Sequence, residues 1–138
     1  MTPTYINPAN LGTLRDIVDV RFSVRLRPGA MVSVHRDRDY PHLAVVAVDA
    51  HVRFRLPVAD CAAVARTADI ALGDGYAAIE LSTGQGFYLY RHHSPGYRRG
   101  YYRLCLGSPL RKTIRENEVL ALSAVLTYFS SSAEGNGA

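Results

Sequence analysis

Val20-Arg21-Phe22-Ser23-Val24-Arg25-Leu26-Arg27 alternates apolar and polar side chains without a break. Side chains of an extended chain point to opposite faces in turn, so this octet reads as a strand with one buried and one basic face. Pro28-Gly29 supplies turn chemistry. A second strand then carries Val32 and Val34 inward, and Leu43 to Val48 is a short apolar run rich in Val. Val52, Phe54 and Leu56 alternate with His51, Arg53 and Arg55. Pro57 ends that strand and suits the first turn of a helix. Cys61, Val64, Ala65, Ala68 and Leu72 recur at helical spacing, with Gly73 as the expected stop.

The same order then returns. Ala77, Ile79 and Leu81 alternate, and Gly84-Gln85-Gly86 turns the chain. Phe87 and Leu89 share one face, with Tyr88, Tyr90 and His92 on the other. After a loop through Ser94-Pro95-Gly96, Tyr102, Leu104 and Leu106 point one way and Tyr101, Arg103 and Cys105 the other. Ser108-Pro109 turns again, and Leu110, Lys112 and Ile114 form a weaker strand. Glu116 to Ser130 reads as a helix with Val119, Leu122, Val125, Leu126 and Phe129 on one stripe and acids in its first turn. An offset of 55 residues carries Val32 and Val34 onto Phe87 and Leu89; an offset of 58 carries Ala44, Val46 and Val48 onto Tyr102, Leu104 and Leu106. One three-residue loop insertion reconciles the two. The pattern predicts an α+β chain built as a tandem ββββα repeat, two antiparallel sheets each with a C-terminal helix. A lead-in over 1–19, halves over 20–73 and 76–130 of one domain, and a tail over 131–138 complete the division.

The chain has 138 residues, 48% apolar and 20% charged, a globular rather than a disordered composition. No apolar run approaches the roughly 20 residues that cross a bilayer, and the polar opening from Met1 to Asn10 does not resemble a secretory signal. Cys61 and Cys105, both in apolar segments, suit buried thiols in a reducing cytoplasm.

The net charge of +4 hides a segregation. Between Leu81 and Arg115 there is no Asp or Glu, while Arg91, Arg98, Arg99, Arg103, Arg111, Lys112 and Arg115 are all basic. From Val20 to Leu56 seven arginines face three aspartates. Separation of this kind is the electrostatic footprint of a polyanion surface. Six of the thirteen aromatic residues fall between Phe87 and Tyr102, interleaved with arginines. Guanidinium groups neutralise phosphates and planar rings stack on unpaired bases. Neither helix is basic, as a duplex groove reader would require. The candidate binding residues are therefore Arg21, Arg25, Arg27, Arg53, Arg55, Tyr88, Tyr90, Arg91, His92, Arg98, Arg99, Tyr101 and Arg103, with single-stranded DNA or RNA as the partner. No catalytic residue and no cofactor are expected.

Phe87-Tyr88-Leu89-Tyr90-Arg91, leading through a basic loop into Tyr102-Arg103-Leu104 and then a helix at Glu118-Val119-Leu120, resembles the Pur-alpha repeat. The element order over residues 20–130 is similar more broadly to the Whirly and positive-cofactor-four-type folds. The resemblance implies single-strand binding through sheet residues and loops, frequent dimerisation, and Arg25, Tyr88, Tyr90, Tyr101 and Arg103 on the binding surface. The first half departs from it, being rich in Arg but without aromatic residues on its polar face.

Two other readings compete. The basic face of a protein-interaction module, such as a phage or plasmid accessory protein or inhibitor, would dock an acidic partner. A small metal-dependent nuclease would use His35, Asp37 and Asp39 with His42 nearby, since His and carboxylates hold divalent metals. His92-His93 is a weaker metal candidate, with no carboxylate near in sequence. No Walker or dinucleotide phosphate loop occurs, and no nucleophile elbow. The second helix stripe and the Val-rich third strand suggest a homodimer.

Overall fold

The computed structural model describes residues 23–27, 30–48, 52–92, 100–107 and 109–132. Four strands, β1 (Ser23–Arg27), β2 (Ala30–Arg36), β3 (Leu43–Val48) and β4 (Val52–Pro57), lead through a 3-10 turn (Val58–Asp60) into α1 (Cys61–Asp74). Four more, β5 (Tyr76–Glu80), β6 (Gly86–Arg91), β7 (Tyr101–Leu106) and β8 (Leu110–Arg115), lead into α2 (Glu116–Ser131). Each set forms its own antiparallel meander, in the order β1-β2-β3-β4 and β5-β6-β7-β8. The expected α+β tandem ββββα arrangement is the observed one. The lead-in expected over 1–19 lies outside the described residues, as do residues 133–138 of the tail expected over 131–138, whose first residue, Ser131, belongs to α2.

The repeat extends to the hydrogen-bond register. Val24 pairs with Val32 as Ile79 pairs with Phe87. Val32 pairs with Val48 as Phe87 pairs with Leu106, and Val46 with Phe54 as Leu104 with Lys112. These are the sequence offsets of 55 and 58, and the change between them falls in one place. The β2–β3 connection runs over residues 37–42, whereas the β6–β7 connection runs over 92–100.

Alternation in sequence becomes alternation in burial. Val52, Phe54 and Leu56 are buried while Arg53 and Arg55 between them are exposed. Val32, Val34, Phe87, Leu89, Tyr102 and Leu104 are wholly buried on the faces that meet the helices. The helices do not each stay on their own sheet. α1 lies against β5 and β6, α2 lies against β1 and β2, and the two helices pack on each other. Phe54 of β4 meets Phe87 of β6 with ring centroids 6.5 Å apart. One apolar cluster therefore runs through both halves.

This exchange explains two departures from expectation. The α2 stripe of Val119, Leu122, Val125, Leu126 and Phe129 is wholly buried within the chain, and Ala121, Ser123 and Ala124 are buried beside it. A helix held between a partner helix and a sheet buries more than one stripe. Together with the buried β3 residues Ala44, Val46 and Val48, it serves the interior of the chain. α1 ends at Gly75 rather than Gly73: Gly75 sits at φ 83°, and its N–H donates to the Ala71 carbonyl at 2.7 Å. That left-handed cap favours glycine, and Gly73 remains inside the helix.

Polar contacts fix the remaining joints. Ser123 Oγ donates to Asp69 Oδ1 at 2.6 Å between the helices. Asp60 Oδ2 accepts from both the N–H and the hydroxyl of Ser82, tying the 3-10 turn to the β5–β6 hairpin. The Arg115 N–H donates to Glu118 Oε1 at 2.8 Å, closing the start of α2. Cys61 and Cys105 are free and buried, and burial, reinforced by the Asp60 charge, pushes the Cys61 thiol up to about 12. Among the described residues, no helix is long and apolar enough to cross a membrane.

Leu126 belongs to the second half but fills the shared interior. Leu126→Ala should lower unfolding free energy by about 2–5 kcal/mol, read from urea melts, with a single transition for both halves.

Candidate nucleic-acid interface

Directly paired residues of antiparallel strands present their side chains to the same face. On the second sheet, the face away from the helices is consequently built from three rows. Tyr101 pairs with Arg115, and the His92 N–H donates to the Tyr101 carbonyl at 2.9 Å. Tyr76, Tyr90, Arg103 and Thr113 form the next row. Ala78, Tyr88, Cys105 and Arg111 form the third. Tyr76 is 56% exposed and Tyr88 41%, Arg111 and Arg115 are exposed, and Tyr90, Tyr101 and Arg103 are half-buried. No described element covers this face.

Glycine shapes one end of it. A Cβ at Gly86 would lie within 2.6 Å of Tyr88 Oη, so the phenol end of Tyr88 lies over the bare Gly86 backbone. The ring borders a shallow pocket of about 310 Å³ lined by Ala78, Ile79, Glu80, Gly84 and Gly86. Glu80 pairs with Gly86 and is the sole carboxylate in the four strands of this sheet. In the middle row, Arg103 Nε is shielded from solvent and has no hydrogen-bond partner. No carboxylate among the described residues pairs with Arg103, Arg111 or Arg115.

The structure brings Tyr88, Tyr90, His92, Tyr101 and Arg103 of the sequence-based set onto this sheet face or its end. It does not bring Arg91 there. Arg91 pairs with Tyr102, on the helix side of the sheet. Its Nη2 donates to Tyr102 Oη at 3.2 Å, its guanidinium lies 5.7 Å from the centre of that ring, and its Nη1 approaches Gly75 at the end of α1. A cation beside a helix C-terminus stabilises it, which gives Arg91 a structural task.

Arg53 and Arg55 stand on the face of the first sheet away from the helices, with half-buried His35 and Ala47 and buried Ser33 and Val45, and no Tyr, Phe or Trp of the described strands joins them. Arg25 and Arg27 belong to β1, where Arg25 pairs with Met31 and a register shift brings Arg27 opposite Ala30. The even alternation that grouped the two arginines is thus broken between them. Arg21, Arg98 and Arg99 lie outside the described residues.

Three members of the face were not in the sequence-based set: Tyr76, Arg111 and Arg115. Alternation carried their signal. Once Leu110 and Ile114 point inward, Arg111 and Arg115 point outward, and Tyr76 precedes inward Ala77 by one position.

The proposed metal ligands have another use. Asp37 Oδ1 accepts the N–H groups of Asp39 and Tyr40, and its Oδ2 accepts Arg55 Nε at 2.8 Å. His35 Nδ1 lies 3.0 Å from the Arg36 carbonyl. The segment closes the β2–β3 hairpin as an aspartate-anchored turn. No three His, Cys, Asp or Glu side chains are grouped to hold a metal among the described residues. His93 lies outside them.

No protein-family model, curated protein or solved structure matches this chain.

The Arg55 hydrogen bond, followed by the Asp39 N–H, holds the Asp37 carboxyl below its usual 3.8. A folded-state value below the unfolded one stabilises the protein above the unfolded value, and that contribution fades as pH falls through the folded value. Asp37→Asn should therefore flatten the acid limb of stability below pH 3.8, measured by thermal melts across a pH series.

Proposed function

We propose that the protein binds single-stranded nucleic acid, without chemistry upon it, through the open face of the second sheet. The observation that carries this reading is the side-by-side setting of rings and guanidinium groups without a carboxylate partner on one sheet face that no other described element covers. Tyr76, Tyr88, Tyr90 and Tyr101 supply planar surfaces, and Arg103, Arg111 and Arg115 supply charge without a carboxylate partner. Unpaired bases expose flat apolar faces and their backbone carries one charge per phosphate, so the two residue types answer the two halves of a nucleotide. Neither described helix is basic, as a groove-reading helix would be, which favours a single strand over a duplex.

The two free, buried thiols fit a reducing compartment such as the cytoplasm.

Fluorescence anisotropy with labelled single- and double-stranded oligonucleotides of mixed sequence tests the proposal. Single strands should bind more tightly, and affinity should fall with salt at a log–log slope of about 0.7 per phosphate neutralised. Tyr88→Ala with Tyr90→Ala should cost about 1–3 kcal/mol per stacked base while the melting transition survives. Unchanged affinity in that double variant, or capture of acidic proteins with no oligonucleotide binding, would refute the reading.

A further inference from the structure

The three rows of the open face share one composition. Each holds tyrosine and arginine: Tyr101 with Arg115, Tyr76 and Tyr90 with Arg103, and Tyr88 with Arg111. In each row the arginine lies nearer the β8 edge than the tyrosines do. Tyr88 and Tyr90 are on β6 and Tyr76 on β5, whereas Arg103 is on β7 and Arg111 and Arg115 are on β8. Tyr101 shares β7 with Arg103, so the division holds within each row: the cation is on the β8 side and the ring on the β5 side.

We infer that a single strand lies parallel to the β-strands on this face, one nucleotide per row, over a track of three nucleotides. The inference rests on the nucleic-acid reading above and adds the direction and length of the bound segment. Phosphates follow the arginine line toward β8, and bases turn inward over the rings toward β5.

The spacing supports this. Successive rows are two residues apart along a strand, roughly 6.8 Å. A stacked nucleic-acid strand advances only about 3.4 Å per nucleotide. One nucleotide per row therefore stretches the polymer to twice its stacked rise, which separates each base from its neighbours and leaves the tyrosine rings to replace them. The middle row carries two rings because Tyr76 and Tyr90 are direct cross-strand partners, and both serve the same nucleotide. Half-buried Arg103, with no carboxylate partner among the described residues, supplies the charge of that central row.

One end of the track is closed. The row beyond Tyr88 is Glu80 paired with Gly86, which offers no ring and no cation. With nothing in that row to hold a base or a phosphate, the track stops at the Tyr88 row.

Competition by unlabelled thymidine oligonucleotides of one to six residues, at low salt, tests the length. Affinity should rise steeply to three residues and then only by the statistical gain of extra registers. Trinucleotides with one abasic position then test the direction. Each abasic site should weaken binding to the native protein about tenfold. In Tyr88→Ala one position should lose its penalty, in Tyr90→Ala a different one, and in Tyr76→Ala the same position as in Tyr90→Ala. If Tyr90→Ala melts early, Tyr90→Leu keeps the packing and removes the ring's polar edge and stacking plane. Arg103→Ala, Arg111→Ala and Arg115→Ala should each reduce the salt slope by about 0.7. Tyr76 and Tyr90 mapping to different positions would mean that the strand crosses the sheet, and would overturn the inference. So would affinity that climbs evenly past three residues. Absence of binding to every single strand would instead sink the underlying reading, and this inference with it.

Discussion

The crossed packing of the two helices is the constraint from which the rest follows. A four-stranded meander has two faces to settle, and burial of one apolar face drives its folding. Here α1 covers the second sheet and α2 approaches the first, while the helices share a seam marked by Ser123 and Asp69. Every covering surface is supplied from within the chain. The opposite sheet faces are consequently left to be specified by surface chemistry alone, and the two halves specify them differently.

The difference between halves is instructive because their backbones are so alike. Equivalent positions pair in equivalent registers, yet Ser33 in the first half corresponds to Tyr88 in the second, and Ala47 to Cys105. The first sheet sets Arg53 and Arg55 beside small or aliphatic Ser33, Val45 and Ala47, and Arg55 is engaged by Asp37. The second shows tyrosines beside arginines that have no acidic partner. A scaffold held constant with one altered surface isolates what that surface is for.

Much of this was legible in the sequence, for a simple reason: a two-residue period is a local property of the chain. Val52, Phe54 and Leu56 announced their burial, and the offsets of 55 and 58 announced the paired registers. What the sequence hid was non-local. Nothing in the α2 stripe says which sheet it meets, so its apolar surplus read as a dimer surface when it was the lining of a shared interior. Arg91 shows a different failure. Its parity with Phe87 and Leu89 pointed to the helix side, but its charge argued for the open face, and the structure satisfies both by setting it at the sheet end over Tyr102. Asp37 looked like a ligand because carboxylates and histidines cluster around it, whereas backbone N–H groups two and three residues on had claimed its oxygens.

Interlocked helices also bear on how such a chain changes over time. Neither half can be discarded, because each shelters the other's apolar sheet, even where only one exposes a set of tyrosine rings. The first half is thus kept as a roof whatever its outer face does, which leaves that outer face at liberty to drift toward a separate task.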